Sequence, residues 1–158
     1  MRIAWERLEG RDGHIVGREL LARLYREETG CGLPEILYSA HGKPYFPEND
    51  LFFSISHTKK HVFCCLSRKN IGIDAEETDR AVSPALAEKM LSDTEKQRYY
   101  AAPDRSAAML RLWVLKESYA KLTGRGIGNY LKNTDFDPED PRIREIDGCY
   151  VAIMEKEN

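Results

Sequence analysis

Hydrophobic positions along the chain follow two different periods. After Asp12, the residues Val16, Leu20, Leu21, Leu24 and Tyr25 fall on one side of a 3.6-residue repeat, and Gly30 stands where such a helix would stop. Over 106–123 the same spacing returns in Met109, Leu112, Trp113, Leu115, Tyr119 and Leu122, with Gly124 as the terminating glycine. Between these two helices the pattern shortens. Residues 51–56 and 62–66 are apolar runs rich in Phe, Ile and Val, separated by the polar turn Thr58-Lys59-Lys60, and they predict a β-hairpin. A third strand is expected over 71–76 and another over 149–154. Ser92 followed by Glu95 has the spacing of a capping box, which opens a helix through Tyr100. Helices combined with mainly antiparallel strands predict an α+β domain.

Length and charge narrow the possibilities. A chain of 158 residues suits one domain with one sizeable core. The net charge of −2 argues against a protein that coats nucleic acid. No apolar run approaches bilayer length and the N-terminal residues lack the apolar stretch of a secretory signal, so the expectation is a cytoplasmic protein without a membrane partner. Cys31, Cys64, Cys65 and Cys149 have no metal-type spacing and are expected as reduced thiols. The near-neutral total conceals a basic stretch: from Arg105 to Lys132, Arg105, Arg111, Lys116, Lys121, Arg125 and Lys132 face the single acid Glu117. Such a stretch suits phosphates or an acidic partner, although a solvated helix face gives the same pattern.

Two acidic groups carry candidate chemistry. On a strand, alternation puts Ile71, Ile73 and Ala75 on one face and Gly72, Asp74 and Glu76 on the other. Same-face neighbours lie roughly 6.5–7 Å apart, close enough for two carboxylates to share a hard cation such as magnesium, with Gly72 expected to leave room for a ligand. An exposed edge strand would show the same alternation. Trp113, Glu117 and Lys121 repeat at i, i+4 and i+8, placing an aromatic, an acid and a base on one helix face. Gly124-Arg125-Gly126-Ile127-Gly128 follows a helix instead of joining a strand to one, so it reads as a cap and loop and not as a nucleotide-binding turn.

Taken in order, Gly42-Lys43-Pro44, Phe53-Ser54-Ile55-Ser56-His57-Thr58, Gly72-Ile73-Asp74-Ala75-Glu76 and Trp113-x-x-Lys116-Glu117-x-x-x-Lys121 resemble the 4′-phosphopantetheinyl transferase superfamily. The helix over 14–28 resembles the family's first long helix. Because the Ser-His segment precedes the acidic motifs, the resemblance is to the monomeric, surfactin-synthetase-activating type. It implies one domain of two similar α+β halves, approximately 1–75 and 76–158, related by a pseudo-twofold. The implied activity is transfer of 4′-phosphopantetheine from coenzyme A to a serine of an apo acyl or peptidyl carrier protein, with Mg2+ as cofactor. By the same resemblance Asp74, Glu76 and Glu117 are metal ligands, and Glu117 and Lys121 act in the reaction. Lys43, Ser56, His57, Lys116 and Lys121 would then bind the cofactor. The chain is shorter than the family pattern at both ends, where some N-terminal contacts to coenzyme A are usually found; Arg18 is a local base that could substitute. Two other readings stay open: a carrier or coenzyme A binding homologue without catalysis, and a magnesium-dependent diphosphate hydrolase using the same acids on water.

Overall fold

The computed structural model describes residues 1–157. Strand β1 (Arg2–Arg7) leads into helix α1 (Gly13–Thr29), followed by the short strands β2 (Leu37–Tyr38) and β3 (Pro44–Tyr45). Strands β4 (Phe52–His57), β5 (His61–Ser67) and β6 (Ile71–Glu77) come next. Helices α2 (Pro84–Met90), α3 (Asp93–Ala101) and α4 (Arg105–Thr123), a 3₁₀ turn (Asn129–Asn133) and strands β7 (Ile143–Ile146) and β8 (Cys149–Glu155) complete the chain.

Local chemistry fixes the ends of the helices. Asp12 accepts the Ile15 N–H at 3.0 Å at the start of α1, and Gly30 closes it in the left-handed conformation at φ 74°. The predicted capping box is present at α3: Ser92 accepts the Glu95 N–H while Glu95 accepts the Ser92 N–H. Asp104 caps α4, and Gly124 ends it at φ 69°.

Two three-stranded antiparallel sheets, ordered β1-β5-β4 and β6-β8-β7, form the centre. Each arises from the same sequence of parts: a strand, a helix and then a strand pair whose second member inserts beside the first strand. This is the two-half arrangement expected. The division falls at 68–70, however, and not at 75, because β6 pairs throughout its length with β8 and belongs wholly to the second sheet.

Strand β5 is buried along its whole length because both of its faces are covered. Val62, Cys64 and Leu66 meet Val16, Leu20, Leu21 and Leu24 of α1. Phe63 and Cys65 meet Ile71, Ile73 and Ala75 of β6, as the alternation of that strand predicted. On the far side of the second sheet, Val114 and Leu115 of α4 pack on Ala152 and Met154. The halves are also clasped at the β7–β8 turn, where Arg7 donates twice to Asp147 at 2.7 Å and His61 Nε2 lies 2.8 Å from Asp147 Oδ2. Those partners hold the Asp147 carboxyl well below the usual carboxylate range. Cys64, Cys65 and Cys149 are buried, Cys31 is exposed, and all four are free thiols. Among the described residues no helix is long and apolar enough to cross a membrane.

Candidate functional site

Gly72 sets the geometry of the site. It lies against the backbone of α4 so closely that a Cβ built there would stand 2.1 Å from the Ser118 carbonyl oxygen and 2.5 Å from the Leu122 nitrogen. The space that the sequence suggested for a ligand is therefore filled by the helix. Its consequence is larger than a pocket: α4 rests directly on β6, and Asp74, next on the same face, comes under the turn that carries Glu117 and Lys121. Gly72→Ala is expected to lower stability by about 1–3 kcal/mol or more through overpacking, since backbone atoms cannot rotate aside. Denaturant unfolding checks this, and an unchanged midpoint would contradict the seating of α4.

Asp74 is buried, and its Oδ1 accepts from Lys121 Nζ at 2.9 Å and from Ser56 Oγ at 3.1 Å. Its Oδ2 is buried with no hydrogen-bond partner. Glu76, half-buried, accepts from Arg80. Burial first, then repulsion from Asp74, raises the Glu76 carboxyl, while Arg80 and Trp113 pull the other way. Glu117 is pushed up to about 7 by burial and then by Asp74, with Glu76 adding to the effect and Lys121 opposing it. The three acids thus feel one another across the β6–α4 contact. Among the described residues no three His, Cys, Asp or Glu side chains are gathered closely enough to form a finished metal cage, and the cations Lys121 and Arg80 engage two of the acids instead. An orphaned carboxylate oxygen, two acids raised by burial and then by the charge of Asp74, and an all-oxygen donor set nevertheless fit a hard divalent cation.

Two adjoining clefts flank Lys121. One, of about 330 Å³, has Asp74, Glu76 and Lys121 on one wall and His14, Arg18, Tyr38 and His57 on the other. His57 is exposed and meets the His14 ring edge-on at 4.7 Å, and Arg18 donates to the Tyr38 hydroxyl. The other, of about 240 Å³, is more apolar and runs from Glu117 past Pro44, Phe53, Ile55 and Ala120 to Ile127. His14 was not anticipated. The signal available for it was weak: with Arg18 it forms an i, i+4 pair in the first turns of α1.

Two expected cofactor contacts are employed elsewhere, and a third, Ser56, has its hydroxyl engaged within the site. Lys116 is not brought to the site; it is fully buried, with Nζ 2.6 Å from Glu95 Oε1 and bonded to the Leu131 carbonyl and Thr134 Oγ1. Although next to Glu117 in sequence, it is turned about 100° around the helix, toward α3 and the 3₁₀ turn. Lys43 lines the apolar cleft but directs its ammonium to Asn70 Oδ1 at 2.5 Å and the Leu122 carbonyl at 2.9 Å, and burial lowers it to about 8. It fastens the β2–β3 loop to the end of α4. Ser56, also buried, is bonded to Asp74 and to the Ala75 N–H. Ser56, His57 and Lys121 all line the first cleft, but the Ser56 hydroxyl is already engaged.

The chain is 31% identical over 120 residues to the 4′-phosphopantetheinyl transferase Sfp of Bacillus subtilis (strain 168), covering 73% of this chain and 51% of that protein. It is 33% identical over 115 residues to the 4′-phosphopantetheinyl transferase gsp of Aneurinibacillus migulanus, covering 69% and 47%. With the 4′-phosphopantetheinyl transferase AcpT of Escherichia coli (strain K12) it shares 35% over 119 residues, covering 72% and 58%. The chain spans about half the length of these relatives. Residues 70–150, which include Gly72, Asp74, Glu76, Glu117 and Lys121, match the 4′-phosphopantetheinyl transferase superfamily, and the chain belongs to that family.

Proposed function

We propose that this chain transfers 4′-phosphopantetheine from coenzyme A to a serine hydroxyl of an apo acyl or peptidyl carrier protein, releasing adenosine 3′,5′-diphosphate. The observation that carries the proposal is the seating of α4 on β6 at Gly72, which sets Lys121 on Asp74 in a cleft with a basic wall and puts Glu117 in the adjoining cleft, on the other side of Lys121. The relatives' shared name, 4′-phosphopantetheinyl transferase, supports the same chemistry.

Asp74, Glu76 and Glu117 would hold Mg2+, which when bound neutralises charge on the diphosphate of coenzyme A. Lys121 lies beside these acids and contributes a positive charge to the phosphates from the protein side. His57, His14 and Arg18 form the opposite wall, placed to meet the anionic nucleotide end. Glu117, held near neutrality in its proton affinity, accepts the proton of the attacking serine. Both walls come from one chain, which supports action as a monomer, and the free thiols accord with a reducing cytoplasm.

Incubation with coenzyme A, Mg2+ and several apo carrier proteins, followed by intact-mass measurement of the carriers, tests the assignment. The expected result is a gain of one phosphopantetheine, abolished by EDTA. Consumption of coenzyme A without carrier modification would make the chain a hydrolase, and carrier binding without reaction would make it a docking protein; either outcome overturns the proposal.

A further inference from the structure

Strands β4 and β6 are edge strands of their respective sheets, and they lie side by side without a backbone ladder between them. An edge strand enclosed by protein must find partners for its outward N–H groups. Here two serines supply them. Ser54 Oγ accepts the Ile73 N–H at 3.1 Å, and Ser56 Oγ accepts the Ala75 N–H at 3.1 Å. Period-two alternation puts both hydroxyls on the face of β4 turned toward β6 and leaves His57 pointing into the cleft.

The two serines differ in what else they reach. A hydroxyl has one proton to give, and Ser56 gives its proton to Asp74 Oδ1, 3.1 Å away. Both serines are buried. With Oδ1 held by Ser56 and Lys121, the Asp74 carboxylate is fixed so that Oδ2 is the oxygen left over. We propose that Ser56 is a positioning residue that acts through Asp74, orienting its unpaired oxygen toward the cation, and that its hydroxyl, although at the cleft lining, is committed to Asp74 and the Ala75 N–H and not to coenzyme A. This rests on the metal reading of the acids given above. It assigns the two neighbours in Ser56-His57, both at the cleft lining, to different tasks, one holding the acid and one open to the ligand.

A carboxylate or hydroxyl that orients a ligand from behind typically contributes 10–100-fold to metal affinity. The test is titration of the apo protein with Mn2+, followed by electron paramagnetic resonance, alongside calorimetric titration with coenzyme A in EDTA. S56A is expected to weaken Mn2+ binding about 10–100-fold while leaving metal-free coenzyme A affinity unchanged. S56T, which keeps the hydroxyl, restores Mn2+ binding. S54A removes a matching backbone bond without touching the carboxylate, and is expected to bind Mn2+ like the wild type even where its unfolding midpoint falls. Should S56A fold poorly, S56C keeps the volume with a weaker donor and shows the same selective loss.

Weaker metal-free coenzyme A binding in S56A with unchanged Mn2+ affinity overturns the proposal, as does an equal Mn2+ defect in S54A. A wild-type protein with no affinity for Mn2+ overturns it together with the metal assignment. A wild type that binds Mn2+ but modifies no carrier removes the proposed transfer reaction, and the Ser56 comparison still decides its own question.

Discussion

Asp74→Asn and Glu117→Gln should each lower carrier modification by at least about 10²-fold, the smaller end of what a positioned proton acceptor contributes. Both substitutions keep side-chain volume and remove charge. In the wild type Asp74 is buried with one oxygen unpartnered, and Glu117 is held where burial and the charge of Asp74 oppose its ionisation, so neither is there for stability. Glu117 makes the sign explicit. Its carboxyl is raised in the folded state to about 7, above its ordinary value of 4.5. The unfolded chain therefore gives up this proton first, and the wild type loses stability as pH rises from about 4.5 through about 7. Glu117→Gln removes that penalty. In EDTA its thermal midpoint should equal or exceed the wild-type value at pH 8, with the difference shrinking toward pH 5. Turnover at the wild-type rate in either variant would falsify the role given to these acids.

What the sequence made legible was the direction of side chains; what it concealed was who stands opposite. Alternation in 71–76 placed Asp74 and Glu76 correctly on one face and Ile71, Ile73 and Ala75 on the core face, as the packing against Phe63 and Cys65 bears out. The same alternation could not say that the Gly72 face is covered by a helix, because the partner lies some forty-five positions later in the chain. Lys116 was misplaced for a related reason. Adjacency to Glu117 suggested a shared site, yet one residue along a helix is a turn of about 100°. Ser92 and Glu95 were readable as a local cap, and that cap is present. That the Glu95 carboxylate also receives Lys116, the Thr134 hydroxyl and the Phe136 N–H is a long-range fact with no local signature. Strands β1 and β7 escaped notice because both are outer edge strands studded with charge, Arg2, Glu6 and Arg7 in one and Arg144 and Glu145 in the other.

The buried pair itself leads to the second large effect. Lys116→Met should cost about 3–5 kcal/mol of stability, the range for removing one partner of a buried ion pair. The residue left behind, Glu95, is fully buried and would keep a negative charge whose counter-ion had gone. Its remaining bonds, from the Ser92 and Phe136 N–H groups and the Thr134 hydroxyl, orient the carboxylate but do not neutralise it. Adding Glu95→Gln to Lys116→Met should therefore recover part of the loss, since the amide keeps an acceptor for the cap and carries no charge. Denaturant unfolding of the three variants gives both numbers. Kinetics separate this account from the phosphate role first suggested for Lys116: the folded fraction of Lys116→Met should retain the wild-type KM for coenzyme A, because the ammonium lies on the side of α4 away from the cleft. A raised KM with undiminished stability would return Lys116 to the cofactor and deprive Glu95 of the partner that the fold provides for it.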